Sequence, residues 1–331
     1  MKTRRIKTIL LFLSTMPFIG IYAQSIYYVS PHASSGGDGS PATPFHIIHE
    51  AVEKARKDKN CTTIYLREGE YILDTPLVLT SADGNDSKEL IIRNYPGEKA
   101  IISSGITLDL KWEKYKNGIM RAAVKGNPVM DMLIVNGDLR SMARYPDYDK
   151  TAVRFNGTSA LATAPERVKK WKNPEGGYLH AMHSHDWGDF HYRITGKNEK
   201  GELQLEGGWQ NNRPMGIHPE NRMVENIFEE LDAPGEWYYD KQEGWLYYYP
   251  LSDENINELV FETPQLKNLI EIAGTSSHPV KNITIEGIEL TQTIRTFMEH
   301  YEPLLRSDWT IYRGGAVIFR GTEKCTLRDC Y

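Results

Sequence analysis

From Asn268 to Tyr331 the chain repeats one short pattern. Ile270, Ile272, Ile283, Ile285 and Ile288 stand at strand spacing, broken by Gly274 and Gly287, and the pattern returns as Val317, Phe319, Cys325, Leu327 and Cys330. Each copy is an apolar strand, a glycine bend and a second apolar strand, with no helix long enough for a βαβ crossover. Units of this kind bury their apolar rows by turning on themselves and stacking, coil on coil. The pattern predicts an all-β chain folded as a parallel β-helix. In that frame Cys325 and Cys330 stand level with Ile283 and Ile288, where free cysteine packs as a small buried hydrophobe. With Cys61 they are too few and too scattered for a disulfide framework.

The first 23 residues read as a secretory signal peptide. Lys2, Arg4, Arg5 and Lys7 precede the apolar run Ile9 to Ile21, and Ala23 before Gln24 is an acceptable cleavage point. The run is too short and too early for a membrane span. Its removal predicts a secreted or periplasmic protein and takes the formal net charge from −5 to −9 by deleting four positive charges, which argues against a nucleic-acid partner. A monomer without a cofactor is expected.

After the leader, Ile26 to Val29 reads as a strand and Ser30 to Pro44 as a loop in which Asp38 makes a turn, one acid being too few for calcium. Thr43 as cap and Pro44 at the first position open a helix with Phe45, Ile48, Val52 and Ala55 on one face. Such a helix would cap the exposed end of the coils. First coils follow to about residue 106. Between 107 and 263 the pattern changes. Asn117-Gly118, Asn136-Gly137 and the strand, turn, strand of WYYDKQEGWLYYYP signal antiparallel hairpins, so an inserted β-domain is expected there. Thr163 with Glu166 suggests a capping box, and Val224, Ile227, Phe228 and Leu231 fall at helical spacing. Coils resume over 264–331. Tyr331 follows Cys330 with no turn or cap, so further coils are expected beyond it.

The opening YYVSPHASSGGDGSPATPFHIIHEAVEKAR, the block GGWQNNRPMGIHPENRMVENIFEELDAPGEWYYDKQEGWLYYYP and the segment EPLLRSDWTIYRGGAVIF resemble secreted right-handed parallel β-helix (pectin-lyase-like) proteins of polysaccharide-degrading bacteria, and most of all glycoside hydrolase family 141. The resemblance implies a pectin-lyase-like helix with a β-domain inserted near its N-terminal end, acting on plant cell-wall polysaccharide such as pectin or xylan side chains. It also implies that the acid pair of such hydrolases can lie on coils after Tyr331.

Three stretches hold candidate chemistry. In AMHSHDWGDFHYRITG, a metal site at His183 and His185 competes with a sugar-contacting loop, where Trp187 would stack and His191 donate, and with a plain structural strand; H-x-H alone is weak, and no metal is expected. In GGWQNNRPMGIHPENR, Trp209, Gln210, Asn211, Asn212 and Arg213 offer a ring, amides and a guanidinium fork to a hydroxyl-rich or carboxylated ligand, unless they pin their own loop. TQTIRTFMEHYEPLLRSDWTIYRGG is a charged, aromatic excursion from the coils, with Arg295 and Trp309 as substrate contacts and Asp308 as the best acid, Glu302 ranking below it. Glycoside hydrolysis needs one carboxyl held protonated and one ionised. The competing reading of Asp308 is a structural pairing with arginine. A polysaccharide lyase and a non-catalytic glycan-binding protein are the alternatives, the lyase disfavoured because clustered acids in a calcium arrangement are missing.

Overall fold

The isoleucine rows do lie level with one another. The structure, a computed structural model, describes residues 24–213 and 216–331; the expected leader lies outside them. It is mostly strands, with one ten-residue helix, Ile48–Lys57, and a few single turns. Five strands pair parallel in the order Gln24–Val29, Cys61–Leu66, Leu90–Asn94, Ile283–Glu286 and Thr326–Arg328. A second parallel sheet joins Gly69–Ile72, Ala100–Ser103 and Ile288–Thr291, and a third joins Leu77–Leu79, Ile270–Ala273 and Val317–Arg320. In register, Ile283 sits beside Leu90, Ile285 beside both Ile92 and Leu327, and Ile270 beside both Leu77 and Val317. Alternate residues point inward, which puts Ile64, Leu66, Leu90, Ile92, Ile283 and Ile285 in one aliphatic core. Cys325 and Cys330 are free thiols packed against that core.

The helix buries Ile48, Ala51, Val52 and Ala55 against the same core. It starts later than the sequence suggested. Phe45 is held in extended backbone by Tyr28 and Ser30, so the helix is capped at Ile47, and Thr43 instead donates its hydroxyl to Asp38 in the preceding turn. At the other end the buried Lys88 ammonium donates to the carbonyls of Ala55 and Arg56, where a cation complements the helix terminus.

Residues between the strands Gly105–Thr107 and Phe261–Pro264 form antiparallel sheets, and those two strands pair with each other. Asn117-Gly118 and Asn136-Gly137 turn their hairpins with both residues at positive φ, which asparagine and glycine tolerate. A four-stranded sheet contains the hairpin Trp237–Asp240 with Trp245–Tyr248. A five-stranded sheet runs Arg144–Tyr145, Ile217–Glu225, Tyr178–His183, Asp189–Lys197 and Leu203–Gly207.

Two segments expected to be helical are not. Val224 lies in the strand Ile217–Glu225, paired to Leu179 and Tyr145, and Asn226 at positive φ then turns the chain into a single 3-10 turn, Phe228–Glu230. Val224 belongs to the end of that strand and Ile227, Phe228 and Leu231 to the 3-10 turn beyond Asn226, so the apparent helical spacing is shared between two elements. The capping box also fails to form. Ala164 is the cap of the short helix Pro165–Val168, and Thr163 accepts from Arg222.

Candidate functional site

The three candidate stretches are not three sites. The hairpin between Tyr178–His183 and Asp189–Lys197 turns through Asp186 at positive φ and presents Trp187, which is 64% exposed and stacked on the His183 ring at 5.5 Å. Beside it, a Cβ on Gly188 would lie 2.4 Å from the Trp309 indole, so glycine lets Trp309 pack onto the hairpin. Trp309 also bridges to Asn211 through backbone pairing. Asn212 ties the loops by its backbone N–H to the Asp308 carbonyl (2.7 Å) and by its side-chain amide to the carbonyls of Ser307 and Trp309. The Thr310 hydroxyl donates to the Trp209 carbonyl, and the Trp209 ring lies 6.0 Å from that of His300. Asn211 accepts from the Arg213 backbone N–H, while the Arg213 side chain pairs with the Asp308 carboxylate at 2.6 Å. Trp187, Trp209, Asn211, Asn212, Arg213, Asp308 and Trp309 thus form one loop cluster, with the asparagines occupied in pinning it.

Arg295 and His191 lie deeper. Arg295 donates to both oxygens of Asp131, to Glu225 and to the Met142 sulfur, and its guanidinium stacks 4.9 Å over the Phe297 ring. Burial alone would raise the Glu225 carboxyl; the charge of Arg295 and the contact with His180 outweigh it and hold Glu225 well below the usual carboxylate range. His180 Nε2 lies 3.2 Å from Glu225, and His180 Nδ1 lies 2.7 Å from His191 Nδ1, the two histidines being cross-strand partners. A carboxylate only accepts, so the network assigns the His180 proton to Nε2 and makes His191 Nδ1–H the donor to His180. Burial pushes the His180 imidazole down, in keeping with a neutral ring. His191 Nε2 then faces Asp189 at 3.5 Å, and Gln210 joins the His191 backbone to the Phe297 carbonyl. A chain of ionisable groups therefore runs from inside the antiparallel sheets towards the loop cluster.

Its inner end opens on a cavity of about 500 Å3, walled by Glu225 and Arg295 together with Arg140, Arg144, Asp147 and Glu236. Glu236, 2% exposed, was not singled out by sequence. Burial, and then the nearby Asp147 and Asp232 charges, push its carboxyl up to about 8 against two backbone N–H groups that lower it. Glu225 and Glu236 thus line one cavity with their proton affinities driven apart, the pattern by which an acid and an anion are kept together at neutral pH. The only hint in the sequence is a glutamate set in the aromatic run beginning Gly235-Glu236-Trp237. Among the described residues no group of three or more His, Cys, Asp or Glu is arranged to hold a metal ion. His183 accepts from the His185 backbone and His185 contacts Ser184, so the H-x-H pair is locally engaged.

No family model matches the chain. An uncharacterised protein of Bacillus subtilis (strain 168), YwoF, is 34% identical over 88 residues, which is 26% of this chain and 17% of that one. A solved glycoside hydrolase superposes with a TM-score of 0.73 at 20% identity over 92% of this chain and 61% of its own. The structure of XylC with xylose aligns with a TM-score of 0.38 at 15% identity over 81% of this chain and 35% of its own, too distant to carry an argument. The chain spans less than two thirds of the length of each of these proteins, and it shares the fold of the solved glycoside hydrolase.

Proposed function

We propose that this chain, alone or within a longer protein, is a secreted or periplasmic carbohydrate-active enzyme, a glycoside hydrolase of family 141 type acting on plant cell-wall polysaccharide such as pectin or xylan side chains. The observation that carries the reading is the gathering of segments far apart in sequence into one exposed cluster of tryptophans around an ion-paired carboxylate. Trp187 and Trp309, 64% and 38% exposed, offer rings for the apolar faces of sugars, and Asp308, paired with Arg213, is the candidate catalytic carboxyl group. The scaffold reading is a right-handed parallel β-helix over 24–106 and 264–331, with 107–263 as an insert; the three in-register parallel sheets and the fold shared with a glycoside hydrolase support it. The basic, then apolar run ending at Ala23 supports export. The test is release of reducing ends from xylan and pectic oligosaccharides by the full-length protein. Hydrolysis leaves no ultraviolet-absorbing unsaturated sugar, so growth of that absorbance would replace hydrolase with lyase. Unchanged turnover in Asp308→Asn would remove Asp308 from the chemistry.

A further inference from the structure

The excursion from the coils lies across one face of the five-stranded antiparallel sheet. His180, His191 and Glu225 share that face: the two histidines are cross-strand partners, and Glu225 stands two residues beyond Met223, which pairs with His180. Arg295 and Phe297 close over them, the Phe297 ring lying 5.0 Å from that of His180 and 5.1 Å from that of His191. Asp189 precedes His191 by two residues in the same strand, so it shares the face, but at the rim, where its side chain is half exposed. Burial and then the charge of Asp189 raise the Tyr301 hydroxyl, which places the excursion beside this rim. On the other side of Asp189 is Gly188, against which Trp309 packs. A solvent-reachable carboxyl group therefore stands where the hairpin and the excursion meet.

The hydrogen bonds of this face fix the state of that carboxyl group. Glu225 takes the His180 Nε2–H and His180 Nδ1 takes the His191 Nδ1–H, which leaves His191 Nε2 towards Asp189 at 3.5 Å. A proton shared between them goes to the imidazole, the more basic kind of group, so Asp189 is the anion. Contact with His191 holds the Asp189 carboxyl below the usual carboxylate range, against burial. Neighbouring acids are occupied: Asp131 and Glu225 by Arg295, and Asp186 by Arg154 and Asn221. Among the described residues the one ion-pair partner of Asp189 is His191, so no arginine or lysine competes for its oxygens. We propose that Asp189 is the ionised carboxylate of the hydrolytic pair, the base for the attacking water, with His191 and, behind it, His180 and Glu225 as positioning residues. The role rests on the hydrolase reading; the half-exposed carboxylate and the histidine chain behind it do not. In the step, the water oxygen bonds to C1 of the sugar while Asp189 takes one of the water protons. The bond from C1 to the leaving oxygen breaks, its electron pair stays on that oxygen, and the second carboxyl group of the site protonates it.

The test uses the full-length protein and the 2,4-dinitrophenyl glycosides of xylose, fucose and galactose, whose leaving group departs without a proton and so reports the base alone. On whichever of these the wild type hydrolyses, Asp189→Ala is expected to lower kcat by about 100- to 10,000-fold, the range for loss of a general base. Added azide, a nucleophile that needs no base, is expected to restore turnover and to yield the glycosyl azide, which a misfolded variant would not do. Asp189→Asn keeps the size of the side chain and is expected to lose as much. Facing the Asp189 and His191 pair are His180 and Glu225 from the sheet and Arg295 and Tyr301 from the excursion. Of these contacts, that with His191 does most to keep Asp189 ionised, so His191→Gln is expected to move the acid limb of the kcat/KM profile to higher pH. Turnover of Asp189→Ala near the wild-type rate, a loss that azide leaves unrepaired, or an acid limb unmoved in His191→Gln would overturn the proposal while wild-type hydrolysis kept the hydrolase reading. Absence of hydrolysis by the wild type, on these glycosides and on xylan and pectic oligosaccharides alike, would instead remove that reading and this role with it.

Discussion

The parallel and antiparallel parts of the molecule bury different things. The parallel sheets enclose a core of Ile, Leu and Val stacked strand over strand, whose buried charges, Asp83 and Lys88, are confined to the end of the helix. The antiparallel part builds around Trp171, Trp237, Tyr248 and Phe261, and buries Arg144, His180, Glu225, Glu230 and Glu236. Stacking demands one alternating apolar row and little else. Irregular sheets of unequal strands leave room for polar groups that must be paired or change their protonation. Buried titratable groups are thus concentrated in the second part, while the loop bearing Asp308 and Trp309 rises from the first.

That contrast can be broken by titration. Glu236 is raised from 4.5 to about 8, so the fold binds a proton that the unfolded chain releases. Its contribution to stability is complete below about pH 4.5 and is lost as pH rises through about 8, on the order of 4–5 kcal/mol at most. Denaturant midpoints across pH 5 to 9 are expected to fall in the wild type and to flatten in Glu236→Gln. Arg295→Met strands Glu225 and should cost about 3–5 kcal/mol at pH 7. Glu225 is lowered, so its stabilising contribution is present above about pH 4.5 and is lost on acidification; in Arg295→Met burial lets the stranded carboxyl take a proton already above about pH 4.5, so the cost of the substitution shrinks steadily as the pH falls. Ile285→Ala, fully buried in the parallel core, should cost about 2–4 kcal/mol with no pH dependence, measured by the same unfolding curves. A marked pH slope in that last cost would erase the distinction. At the small end, Glu302→Gln removes an exposed pair with Arg313 and should change stability by less than about 0.5 kcal/mol.

How much was legible follows from how local each signal is. The level placement of Cys325 with Ile283 could be read because strand alternation and glycine bends repeat within a short stretch. Asn136-Gly137 marked its hairpin because only a few residues accept positive φ twice in succession. The Ile217–Glu225 strand could not be read, since burial of Val224 and Ile227 depends on what covers each face. The same limit hid the ionic chain. His180, His191 and Glu225 meet through strand register, and Arg295 reaches Glu225 from seventy positions away. Candidate residues were found where they are exposed and rich in aromatics, as at Trp187 and Trp309, and missed where a carboxyl is unusual only for its surroundings, as at Glu236.

One join in the molecule has a wider consequence. The strands Gly105–Thr107 and Phe261–Pro264 lie side by side, and Ser104 is stitched to Gln265 and Leu266 by its carbonyl and its hydroxyl. Everything between them enters and leaves through one narrow doorway. The residues behind it are also tied to the segment after Pro264, Asp131 and Glu225 through Arg295 and Asn212 through Ser307 and Trp309, so a change of what stands there would have to reproduce these contacts as well as the paired strands.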